Sequence, residues 1–102
     1  MSREVHVQFV VKSTAIMKRT LQELSVDYNE QGERMVISRN YHSIVIDPTV
    51  GNITYDEMDK GRVDQIKQAY TVNWYKNEAI KEGMQLREER NANGVISLYL
   101  TR

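Results

Sequence analysis

Apolar and polar residues alternate near the beginning of the chain in a pattern that predicts a β-strand. Val5, Val7 and Phe9 alternate with His6 and Gln8. A period of two residues places the apolar side chains on one face of a strand and the polar ones on the other. We therefore expect a strand with one apolar face here.

The next segments predict one helix followed by several strands. Ser13 or Thr14 can cap a helix from about residue 14 to about residue 25, where apolar residues recur at helical spacing. Short alternating runs then follow, with turns around Gly32 and Gly51.

A long second helix is predicted between Asp59, which can serve as its N-cap, and Gly83, which suits a left-handed C-cap. Its apolar stripe contains one amide, Asn77, near its centre. A buried amide must form a hydrogen bond, so we expect a structural amide, with ligand contact as the alternative. The stripe comprises Val63, Ile66, Tyr70, Trp74, Asn77 and Ile80.

The opposite side of this helix carries a smaller apolar cluster made of Val72, Tyr75 and Ala79. If that side faces water, the cluster is a candidate surface for protein contact with Tyr75 as its aromatic anchor. The alternative is a few ordinary exposed apolar residues.

The C-terminal segment predicts a hairpin closed by Ala92, Asn93 and Gly94. A three-residue loop places Leu86 opposite Leu100 and aligns the two apolar faces, with Gly94 in the left-handed position. A two-residue loop would instead place Leu86 opposite Thr101. We prefer the three-residue loop.

Helices separated by groups of strands indicate an α+β fold. Because each group of strands has one apolar face, the simplest arrangement is one antiparallel sheet with both helices packed on one face. We expect a ferredoxin-like core extended by a meander, formed by residues 1–102 as a single domain.

The charge balance and the composition exclude several classes of protein. The chain has 14 basic and 14 acidic residues and no cysteine. Zero net charge gives no reason to expect nucleic-acid or membrane binding, and thiolate chemistry is excluded. The first residues, MSREVHVQ, lack the apolar segment of a secretory signal, and no apolar run is long enough to span a membrane. We expect a cytoplasmic protein.

Catalytic and metal-binding motifs are not found in the sequence. His6 and His42 are the only histidines, and neither lies in a recognisable motif. An acidic cluster at residues 56 to 64 offers oxygen ligands that could hold magnesium, but the spacing lacks the features of a calcium loop. We interpret it as a solvated helix N-terminus. The prediction is a protein that is not an enzyme and has no metal or cofactor.

The open face of the predicted sheet offers a second candidate surface. By alternation it would carry His6, Gln8, Arg87 and Tyr99. Such residues can stack on or hydrogen-bond a nucleotide or a similar polar molecule.

The segment from Tyr70 to Arg102 resembles a small family known mainly as a conserved hypothetical reading frame of plastid genomes, also found in bacteria and phages. The shared features lie in "NEAIKEGMQLREERNANGVISLYL", and "AIMKRTLQELSVDY" is similar in character. Residues 30 to 60 match poorly. The family has no established role, but some bacterial members lie near genes for AAA-type ATPases, which implies an accessory role.

Two hypotheses about function follow. The first is a small interaction module that forms a homodimer or docks on a larger protein, such as an AAA-type ATPase, through Val72, Tyr75 and Ala79. The second is a domain that binds a nucleotide or another small molecule on the open face of the sheet.

Overall fold

Seven strands, two α-helices and a short 3₁₀ turn form an α+β fold in the computed structural model, which describes residues 3–39 and 41–101. No helix in these ranges has the length and apolar character needed to cross a membrane. In chain order the elements are β1 (Glu4–Gln8), α1 (Thr14–Glu23), β2 (Asn29–Gln31), β3 (Arg34–Arg39), β4 (His42–Asp47), β5 (Asn52–Asp56), the 3₁₀ turn (Glu57–Asp59), α2 (Lys60–Lys81), β6 (Gln85–Arg90) and β7 (Ile96–Thr101).

The chain divides into two compact units, Met1–Tyr70 and Thr71–Arg102. The first contains a five-stranded antiparallel sheet in the order β1-β5-β4-β3-β2. The second contains the antiparallel pair β6-β7 as a sheet of its own. The expectation of one sheet is therefore wrong, and a ferredoxin-like core is not confirmed. Alternation shows which face of a strand is apolar, but it does not show which strand lies beside it.

One face of the five-stranded sheet supplies most of the core of the first unit. Ile46 lies opposite Met35 on one side and opposite Ile53 on the other, and all three side chains are buried. Cross-strand neighbours share a face, so this row is continuous and apolar. Helical side chains complete the core of the unit: Ile16, Met17, Leu21, Val63, Ile66 and Tyr70 are buried.

Local hydrogen bonds fix where the helices begin and end. Of the two predicted caps of α1, Ser13 is the one that acts: its Oγ accepts from the N–H of Ile16 at 3.2 Å. Asp59, the predicted N-cap of α2, directly precedes that helix. The hydrogen bond found at its side chain is a different one: Oδ1 accepts from Arg39 Nε at 2.9 Å. Gly83 follows α2 at φ 69°, which confirms the predicted left-handed C-cap.

The predicted hairpin register is confirmed. Leu86 lies opposite Leu100, and the N–H of Asn91 donates to the carbonyl of Val95 at 3.0 Å. Three residues remain between this closing pair, and Gly94 has φ 81°. A three-residue loop with glycine in the left-handed position is the geometry expected from the apolar pattern.

Candidate functional site

The outer edge of β1 presents backbone groups that pair with no strand within residues 3–39 and 41–101. β1 is an edge strand, and its amides pair with β5 in alternation. The N–H of Phe9 donates to the Gly51 carbonyl, and the N–H of Glu57 donates to the Arg3 carbonyl, both at 2.8 Å. Residues 3 and 9 therefore face β5, and so do the residues two apart between them. It follows that the N–H and C=O groups of residues 4, 6 and 8 point away from the sheet.

Side chains of β1 differ in exposure between the two faces of the sheet. Glu4, His6 and Gln8 are exposed on the face opposite the core, whereas Val5 and Val7 are half-buried on the core face. Within residues 3–39 and 41–101, no strand pairs with this edge. The other edge strand of the sheet, β2, has only three residues, and short edge strands are a common protection against further pairing.

An open depression of ≈ 290 Å³ lies beside β1. Two acidic residues, three residues that carry hydroxyl groups and one histidine line it, so the depression favours a positively charged or neutral polar group over an anion. Its lining consists of Glu4, His42, Ser43, Thr54, Tyr55 and Asp56.

Both histidines lie close to carboxylates, which the sequence did not indicate. His6 Nε2 lies 3.8 Å from Glu4 Oε1, and its Nδ1 is 3.0 Å from the Thr54 hydroxyl. His42 Nε2 lies 3.7 Å from Asp56 Oδ2. Both carboxylate distances exceed hydrogen-bond length, so neither contact is a hydrogen bond. His42 and Asp56 come from neighbouring strands, and only the sheet register brings them together.

The predicted acidic cluster at residues 56 to 64 is divided among separate partners. Asp56 Oδ1 accepts from the N–H of Met58 at 3.0 Å. Asp59 pairs with Arg39, and Asp64 Oδ2 lies 2.6 Å from Lys60 Nζ. In the part of the chain that the structure describes, no three histidine or acidic side chains form a group that could hold a metal ion.

Shifted pKa values occur outside the depression, for example at Asp47 and Lys60. The Thr49 hydroxyl donates to Asp47 at 2.5 Å and lowers the pKa of that carboxyl. The hydrogen bond from Lys60 to Asp64 raises the pKa of the lysine ammonium. These are exposed surface contacts, and neither carboxylate lines the depression.

The four residues proposed for ligand binding are divided between the two sheets. His6 and Gln8 lie on β1, whereas Arg87 and Tyr99 lie opposite each other on β6 and β7. The Arg87 guanidinium carbon is 4.9 Å from the centre of the Tyr99 ring, a cation–π contact. The expectation that these four residues share one sheet face is therefore wrong, because β6-β7 forms its own sheet.

The predicted apolar cluster on α2 is mostly buried. Val72 and Ala79 are only 7% and 3% exposed, whereas Tyr75 is 46% exposed. Lys76 lies between the two buried residues at helical spacing, and its Nζ is 3.1 Å from Glu88 Oε2 on β6. The prediction of an exposed Val72 and Ala79 is wrong, because this side of α2 is covered in the second half of the helix.

The apolar stripe of α2 that was predicted to be buried is more exposed in the second half of the helix than expected. Ile80 is 76% exposed, and Asn77 and Trp74 are half-buried. The Trp74 and Tyr75 rings are in edge contact, with centroids 5.2 Å apart. The structural role of Asn77 remains a prediction, with less burial than the sequence pattern suggested.

Comparisons of the chain with protein families, with curated proteins and with solved structures found no significant match. The resemblance to the plastid reading-frame family therefore remains a prediction.

Proposed function

We propose that this protein is a non-catalytic interaction module that binds an extended protein segment at the outer edge of β1. The observation that carries the proposal is the row of outward N–H and C=O groups at residues 4, 6 and 8. An added strand would pair with these groups as in other cases of recognition by strand addition. Such pairing supplies the affinity through the main chain, and side chains on either side of the edge supply the selectivity.

The faces of β1 define what the added segment would look like. Val5 and Val7 on the core face favour apolar residues at alternate positions of the partner. Glu4, His6 and Gln8 on the other face favour polar or basic residues at the positions between them. A bound segment would therefore itself alternate between apolar and polar residues.

The proposed class of function is the one predicted from the sequence, but the proposed contact surface is the edge of β1 and no longer the apolar cluster on α2. Of the three α2 residues, Tyr75 alone has substantial exposure, so α2 now contributes little support. Docking on a larger protein, such as an AAA-type ATPase, rests on the family resemblance and is part of the proposal only as a candidate partner.

A second candidate function is binding of a small polar molecule in the depression. The carboxylates of Glu4 and Asp56 disfavour the phosphates of a nucleotide and favour an amine. Thermal-shift measurements should then show stabilisation by a diamine and none by ATP. Stabilisation by ATP alone would contradict this assignment.

The interaction proposal is tested by crosslinking inside the source organism. A photo-crosslinking amino acid at position 8 should yield defined protein adducts, because its neighbour at the outer edge is the bound segment. Addition of His6→Pro should abolish them. Proline removes the outward N–H of residue 6, while the ladder bonds to β5 at residues 5 and 7 remain.

His6→Thr is the matched control, since it also removes the imidazole but keeps the N–H and suits a strand. Adducts should persist with His6→Thr. Circular dichroism should show that both variants remain folded. The proposal is wrong if position 8 gives no adduct, or if His6→Pro and His6→Thr give equal yields.

A further inference from the structure

We infer that the segment bound at the outer edge of β1 is β1 of a second copy of the chain, paired antiparallel about His6. The inference rests on the proposed function and specifies its partner. The strand reads EVHVQ from Glu4 to Gln8, so its apolar and polar positions are symmetric about the central histidine.

Backbone geometry selects this register. Groups at residues 4, 6 and 8 point outward, so an antiparallel copy forms all of its hydrogen bonds when Glu4 faces Gln8 of the second copy and His6 faces His6. If the register shifted by one residue, the outward N–H and C=O groups of one copy would lie opposite residues of the other copy whose backbone groups are already bonded to β5. A shift of two residues would lose hydrogen bonds at one end of the strand.

Side chains are complementary in the same register. On the core face, Val5 lies beside Val7 of the second copy, and the two-fold axis repeats this apolar contact. On the opposite face, the Glu4 carboxylate lies beside the neutral Gln8 amide, which can donate to it. No carboxylate faces another carboxylate across the axis, so the pairing has no charge penalty there. The result is one continuous sheet through both copies.

Substitutions at position 8 give the sharpest test, because they change the charge opposite Glu4 twice in each dimer. Sedimentation equilibrium of the purified full chain should show a reversible dimer. Gln8→Lys should lower the dissociation constant about three- to tenfold, since it creates two cross-strand charge pairs. Gln8→Glu should raise it by a similar factor, because like charges then face each other.

These two variants control for each other, since they change the net charge by the same amount in opposite directions from zero. A general effect of net charge would shift both dissociation constants in the same direction. The double variant Glu4→Lys/Gln8→Glu should dimerise more tightly than Gln8→Glu alone. His6→Pro should be a folded monomer.

Three results would overturn the inference: a monomer at all concentrations, equal effects of the two position 8 variants, or a dimer that persists with His6→Pro. Failure of this inference is distinguishable from failure of the proposed function. A monomeric protein that still forms an adduct with a different protein at position 8, lost with His6→Pro, would leave the proposed function standing with another partner.

Discussion

At the residue scale, Gly94 determines how the C-terminal hairpin closes. Its φ of 81° lies in the left-handed region, and no atom would lie within 4 Å of an added Cβ. Gly94→Ala should therefore lower the free energy of unfolding by about 1 kcal/mol or more, through backbone strain and without a steric clash. Chemical denaturation followed by circular dichroism measures this change.

Gly61 provides the matched control for this prediction. It also has open space around an added Cβ, but its backbone is helical and lies in the first turn of α2. Gly61→Ala should leave the free energy of unfolding unchanged or raise it by up to about 1 kcal/mol. Equal losses in both variants would show that φ at Gly94 is not the cause.

The residues whose positions could be predicted are those controlled by local geometry. Gly94 and Gly83 act at their predicted positions, and Ser13 is one of the two predicted caps, because turns and caps depend on residues a few positions apart. The proximity of His42 to Asp56 could not be predicted in this way. It requires two particular strands to be neighbours in one particular register. Neither local spacing nor residue type shows which strands pair or in which register.

At the scale of elements, apolar periodicity indicated both helices and most strands, but it missed the fully polar β2 and did not show every buried face. A helical wheel assigns one buried side to a helix of any length. The 22 residues of α2 contribute to two compact units, so Val63 is buried in its first half and Val72 in its second, although they lie on opposite sides.

The burial of Val72 predicts a clear contrast between two β-branched residues of α2. Val72→Ala should lower the free energy of unfolding by about 1–3 kcal/mol, because it leaves a cavity in a packed interior. Ile80→Ala should change it by no more than about 0.5 kcal/mol, since Ile80 is exposed. Urea unfolding of both variants checks this contrast, and a larger loss for Ile80→Ala would restore the stripe expected from the sequence.

At the scale of the whole molecule, the two units differ in how much they bury. β3 and β4 carry fully buried side chains, whereas the side chains of β6 and β7 are at most partly buried. Two-stranded sheets are marginally stable by themselves. The amide hydrogens of Arg87 and Tyr99, which point toward the partner strand, should therefore exchange through an opening of lower free energy than those of Ile37 and Ile44.

Native-state hydrogen exchange in low concentrations of denaturant measures this difference. The hairpin amides should show a small dependence on denaturant, because little surface is exposed in a local opening. Identical free energies and denaturant slopes for the two sheets would indicate that the molecule opens only as a whole.

The division between the two units falls inside a helix, between Tyr70 and Thr71, and not in a loop. A fragment that ends at Tyr70 would leave the last carbonyl groups of its helix unpaired. A fragment that begins at Thr71 would keep only the helical segment from Thr71 to Lys81, shorter than the roughly 12–15 residues at which isolated helices become marginally stable in water. Neither unit can therefore be transferred to another protein as a fragment cut at this boundary. A transferred fragment that contains either unit must include the whole of α2.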